Sequence, residues 1–136
     1  MKETTVSSTS ILVLRIAVSG IFIAAGINHL QKPQGIAKRI LEAPSGEFLS
    51  SIADPQFLAL SSGVLLLLFG ITFMLGIYTR ISAFALTLLL LPITFTIQMD
   101  GGILFGPLWK NVALFGGLSY FIINKNLPYQ IFPNTK

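Results

Sequence analysis

The side chains of this chain best suited to recognising or protonating a small molecule are His29, Gln98, Asp100, Trp109, Lys110 and Asn111. A histidine, an amide, a carboxylate and an amine at one place would bind the polar head of a lipophilic molecule. His29 or Asp100 would also suit proton transfer, since an imidazole titrates near neutral pH. Other chemistries lack their residues. One histidine, no cysteine and no paired acids leave too few ligands for a metal and exclude a bis-histidine haem. The absence of cysteine also removes thiol–disulfide and thiolate chemistry. Scattered serines around one histidine make no nucleophilic triad, and no catalytic constellation emerges. Gly101-Gly102 is a turn, not a phosphate-binding loop.

The elements that must position these groups are apolar. Of 136 residues, 53% are hydrophobic and only 10% charged, where a soluble domain carries about 25%. Mean hydropathy is +0.79. Four apolar stretches, about 11–29, 57–78, 81–99 and 108–124, each have the length that a helix needs to cross a core of roughly 30 Å. The expected fold is all-α: a single membrane domain over 1–136, built as a four-transmembrane-helix bundle. The N-terminal stretch lacks a clear cleavage site and carries Arg15, so it reads as a retained span and not a signal peptide. The net charge of +4 contains no dense basic run, which argues against a nucleic-acid partner.

The connection between the first two spans is the long one. Residues 35–42 read as a short amphipathic helix, with Ile36, Ile40 and Leu41 opposite Lys38, Arg39 and Glu42. Such a segment lies in the headgroup plane or caps the bundle. Phe48, Leu49 and Ile52 offer a second apolar edge. Asp54-Pro55 reads as an N-cap followed by proline at the first helical position. The brief link 77–80 forces spans two and three into a helical hairpin. Four spans put both termini on one side. Lys2, Arg15, Arg80, Lys125 and Lys136 lie there, against Lys32, Lys38, Arg39 and Lys110 on the other, a small bias toward cytoplasmic termini.

Polar residues within spans should face inward. At 100° per residue, Arg15, Ser19, Phe22, Gly26 and His29 share one face of span one. A different face of that span, Ala17, Gly20, Ala24 and Asn28, forms a groove of small residues suited to close helix contact. Arg80, Ala83, Thr87, Leu91, Thr94 and Gln98 align in span three, and Lys110, Ala113, Gly117, Tyr120 and Asn124 in span four. Span two offers Ser61, Ser62 and Thr72, with Gly63 and Gly70 one heptad apart. Helix packing accounts for most of these small and hydroxyl residues. Pro92 within span three leaves the Leu88 carbonyl unpaired, and either a kink or a pocket would follow. His29, Gln98, Asp100, Trp109, Lys110 and Asn111 should meet at the membrane surface bearing the long connection, with Thr94 below them on the inward face. Interfacial anchoring is the competing role for His29, Trp109 and Lys110. Arg15 lies about fourteen residues, or roughly 21 Å, from His29 and belongs to the opposite leaflet. Snorkelling to headgroups is its first expectation, and pairing inside the bundle the alternative.

The chain resembles the DoxX family of small four-helix bacterial membrane proteins. The resemblance rests on Arg15…Gly20…Ala25-Gly26-Ile27-Asn28-His29-Leu30 with Pro33, on Gly63…Gly70…Gly76…Thr79-Arg80…Ala83, and on 106–117, beginning Gly106-Pro107-Leu108-Trp109-Lys110-Asn111. It implies a four-helix bundle in a bacterial inner membrane, associated with membrane oxidoreductase assemblies. Relatives often carry a glutamate early in the second span. Here that region reads Leu60-Ser61-Ser62-Gly63, so no chemistry through that carboxylate carries over. The leading functional expectation is a non-catalytic subunit, or a bundle binding quinone or lipid, within a membrane redox complex. Its partners would be membrane lipids, other subunits of that complex, or copies of itself. A proton-relay subunit of an oxidoreductase is the alternative, and a small transporter or scaffold is a third reading.

Overall fold

The structure, a computed structural model, describes residues 5–95 and 101–132. Among them are six helices: α1 (Ser8–Gln31), α2 (Pro33–Glu42), α3 (Gly46–Ile52), α4 (Pro55–Leu75), α5 (Thr79–Ile93) and α6 (Gly106–Ile123). The described residues contain no strand beyond one isolated bridge between Ile77 and Phe132. The fold is therefore all-helical. By length and apolar composition two helices, α1 and α4, can each cross a membrane. The described part of α5 is 15 residues long, and residues 96–99 of the expected third span lie outside the described residues.

The long connection is folded. α2 is amphipathic: Ile36 and Ile40 are buried against Ala59, Leu49 and Leu58, and Lys38 and Arg39 are exposed, but Leu41, expected on the buried face, is exposed as well. Phe48, Leu49 and Ile52 lie on α3. The start of α4 follows from Asp54, whose Oδ1 accepts from the backbone N–H groups of Gln56 at 2.9 Å and Phe57 at 3.1 Å. Pro55 follows as the first helical residue, where no N–H is required. Gly76 ends α4 in the left-handed conformation, φ +75°.

α1 packs chiefly on α4, α5 joins α4 to α6, and α2 lies across α4. The core between them centres on Phe22, Leu66, Phe73, Leu86, Leu118 and Phe121. Phe73 and Phe121 meet edge to face with centroids 4.9 Å apart. The outward faces stay apolar: Val13, Ile16, Val64, Leu68, Phe84 and Leu88 are all exposed. Such all-round hydrophobicity suits a helix surrounded by lipid.

The inward seam of α1 is the expected one, with Arg15, Ser19, Phe22, Gly26 and His29 all buried. The close contact with α4 also uses this face. A Cβ on Gly26 would lie 2.9 Å from the Gly63 carbonyl oxygen and the Leu67 backbone nitrogen; one on Gly63 would lie 2.9 Å from the His29 Cβ. The expected groove of Ala17, Gly20, Ala24 and Asn28 is instead exposed, and a Cβ on Gly20 meets nothing within 4 Å. The Arg15 face won because it also carries the large side chains, above all Phe22, that fill the core. Two other seams are turned. In α6 the buried residues are Asn111, Leu114, Leu118 and Phe121, while Lys110, Ala113 and Asn124 are exposed. In α5 Ala83 is buried as expected, as is Thr94 just past its end, but Arg80 and Leu91 are exposed and Leu86 and Leu90 point inward. Large apolar side chains, which gain most from packing, set these rotations.

Arg15 does not snorkel. It is 2% exposed, and its guanidinium donates from Nη2 to the Tyr129 carbonyl at 2.7 Å and from Nη1 to that of Pro128 at 3.4 Å. This ties the segment after α6 to α1. The same segment pairs with the α4–α5 turn: the Tyr78 N–H donates to the Phe132 carbonyl at 3.0 Å, and the Ile131 N–H to that of Gly76 at 3.1 Å.

The Gly26 contact yields a clear test. Gly26→Ala forces two backbones apart and should cost about 1–3 kcal/mol, read by SDS titration with circular dichroism. Gly20→Ala, which meets open space, should unfold as the parent does.

Candidate functional site

His29 stands in the last turn of α1, facing α4. Its Nδ1 lies 2.8 Å from Ser62 Oγ, and that hydroxyl donates to the Ala59 carbonyl at 2.9 Å. A hydroxyl has one proton. With it committed to Ala59, Ser62 accepts from His29 Nδ1–H. Neutral His29 is thereby the Nδ1–H tautomer, an assignment drawn from the bonding pattern. Nε2 keeps its lone pair and has no partner among the described residues.

Two cavities flank His29. One, of about 220 Å³, is roofed by α2 and lies between α1, α4, α5 and α6. His29 and Asn111 line it, both buried, together with Asn28, Arg39 and Lys110, which are exposed at its rim. Phe22, Leu66, Leu90 and Leu114 close its apolar walls. The second, of about 140 Å³, is nearly all apolar: Ile40, Leu49, Leu58, Leu89 and Pro92 line it. His29, Ile36 and Ile93 border both.

Asn111 is 2% exposed and held across the bundle: its Nδ2 donates to Thr94 Oγ1 at 2.9 Å, and Thr94 Oγ1 donates to the Leu90 carbonyl at 2.7 Å. Thr94 thus acts on the chamber through Asn111. It sits just past Pro92, where the helix relaxes into a π-type turn at Thr94 and Phe95. Pro92 itself opens onto the apolar cavity.

Of the residues singled out in the sequence, the structure brings together His29, Lys110 and Asn111 around one chamber, with Thr94 behind Asn111. Trp109 lies apart, 54% exposed, its Nε1 donating to the Ile103 carbonyl at 2.6 Å. It anchors the loop before α6 and does not line the chamber. Gln98 and Asp100 lie outside the described residues. Arg39, Asn28 and Ser62 border the site without having been singled out for it. Arg39 reads as a solvent residue on the polar face of α2, and only the placement of that helix over the bundle brings it to the rim. Among the described residues no group of three metal-ligating side chains occurs.

A family model described as DoxX matches residues 10–99. The chain belongs to the DoxX family. The matched segment of this DoxX protein contains His29, Arg39, Ser62 and Thr94, whereas Lys110 and Asn111 on α6 lie beyond it. No curated protein and no solved structure matches the chain.

The Thr94–Asn111 bond is the part of the chamber wall most open to direct test. Thr94→Val strands the buried Asn111 amide and should cost about 1–3 kcal/mol in SDS titration. Pairing it with Asn111→Leu should restore part of that loss, because both partners are then apolar.

Proposed function

We propose that this DoxX-family protein is a four-span inner-membrane bundle that holds a quinone or lipid for a membrane redox assembly, without itself catalysing the reaction. The supporting observation is the pair of cavities around His29. The larger offers His29, Asn111 and Lys110 to a polar head. The smaller offers an apolar wall to the hydrocarbon beside it. Binding here is positioning: a ligand group that reaches Nε2 of His29 meets an imidazole already oriented by Ser62. In the four-span reading α5 and α6 also cross the bilayer. Their exposed apolar side chains, among them Ile81, Phe84, Val112 and Ile123, support it. Both termini then lie in the cytoplasm.

The His29 tautomer favours a second reading, in which His29 relays protons to a bound quinone. Nε2, which holds its lone pair, would take up a proton from water, and the resulting imidazolium would donate it to the quinone. Its measure is the pH profile of quinone turnover by the assembly: His29→Gln should flatten the limb near neutral pH, and an unchanged profile removes this reading.

Two measurements test the main proposal. Native mass spectrometry of protein purified in mild detergent should show a bound lipophile that Asn111→Leu displaces, along with partner subunits when the intact assembly is extracted. Protein that carries none, and binds none when quinone or lipid is supplied, would sink the ligand-holding reading. The chain has no cysteine, so single introduced cysteines report topology cleanly. Thr5→Cys and Asn126→Cys should be labelled from the cytoplasm, and Ser45→Cys from the opposite side; labelling of all three from one side contradicts four spans.

A further inference from the structure

The charge around the larger chamber specifies the kind of head it takes. Arg39 and Lys110, from helices distant in sequence, stand at one rim, and no carboxylate lines the chamber among the described residues. The ion pair on α2 involves its neighbour: Lys38 meets Glu42 at 3.7 Å, leaving Arg39 outside that pair. Both cations are exposed, and a neutral head would offer neither of them a charge-assisted bond. An oxyanion offers it to both, since a guanidinium fork matches a carboxylate or phosphate and an ammonium adds a point charge. Asn28 supplies a further amide to the lining, and His29 lines the same chamber.

The apolar chamber sets the other end. At about 140 Å³ it is close to the size of an engineered cavity of about 150 Å³ that holds one benzene ring. A space of that size suits a segment of one hydrocarbon chain. Because His29, Ile36 and Ile93 border both spaces, the apolar chamber adjoins the one that Arg39 and Lys110 line, and a head in the one would have room for its chain in the other.

We infer that the site selects a single-chain anionic amphiphile, its carboxylate or phosphate head held between Arg39 and Lys110 and its chain passing His29 into the apolar chamber. This rests on the ligand-holding reading above and narrows it. The head chemistry is shared by a fatty carboxylate and by a single-chain phosphate monoester.

The test uses full-length protein in neutral maltoside micelles. The probes are a fluorescent polyene fatty acid, its methyl ester, a neutral decyl benzoquinone, and lysophosphatidate as competitor. The acid should bind roughly tenfold or more tightly than its ester, as expected for a charge-assisted contact. Arg39→Gln and Lys110→Gln should each remove most of that preference, weakening the acid far more than the ester. Lys38→Gln, on the same helix but paired with Glu42, should preserve it. Stronger displacement by lysophosphatidate than by unlabelled fatty acid assigns the phosphate source, and the reverse assigns the carboxylate; either supports the inference. Ester or quinone binding as tight as the acid overturns anion selection and leaves the ligand-holding reading intact. Failure of every probe to bind protein that keeps its helical circular dichroism overturns both.

Discussion

The close approach of α1 to α4 is the constraint on which the rest depends. Gly26 and Gly63 let the two backbones meet where any Cβ would collide with main chain or with His29. Between transmembrane helices there is little hydrophobic drive, so packing at this range is a main source of association. The same contact sets the function-bearing geometry. With α1 this near, the His29 ring reaches Ser62 on the adjoining turn of α4, and that one bond fixes its tautomer and direction. A wider spacing would leave the imidazole unanchored.

The two ends of the bundle solve different problems with polar groups. At the terminal end Arg15 is buried with no acid beside it among the described residues, and carbonyls of the segment after α6 accept its hydrogen bonds. A buried cation demands such partners, and meeting the demand ties Pro128 and Tyr129 to α1. At the other end Arg39 and Lys110 stay at a rim with no such backbone partners among the described residues, around a chamber with buried amide and imidazole groups. Arg15 thus serves as a fastener, while the rim cations remain able to engage something from outside.

Much of this was legible in the residues. Length and hydropathy marked the four helical stretches, Asp54-Pro55 marked the start of α4, and 3.6-residue spacing identified both the α2 amphipathic face and the buried α1 face. The convergence of His29, Lys110 and Asn111 at one end followed from counting residues along antiparallel helices. Finer rotations were not legible. Lys110 and Asn111 differ by 100°, and only the fit of Leu114, Leu118 and Phe121 into the core decided that Asn111 turns inward while Lys110 reaches the rim. The Ala17–Gly20–Ala24 groove looked as fit for close contact as the Gly26 face. Small residues permit contact, but the bulky side chains beside them decide where it occurs.

By itself, then, the sequence determined an all-helical apolar chain of the DoxX family with its polar groups gathered at the helix ends. Those properties follow from local periodicity and from the cost of exposing polar groups to lipid, both written along a single helix. The tertiary structure decided what those groups do to one another: the Ser62 anchor on His29, the Thr94 hold on Asn111, the arrival of Arg39 over the chamber, and the burial of Arg15. Each joins residues of different helices. Such pairings depend on interhelical distance and rotation, which the packing of all the helices fixes together.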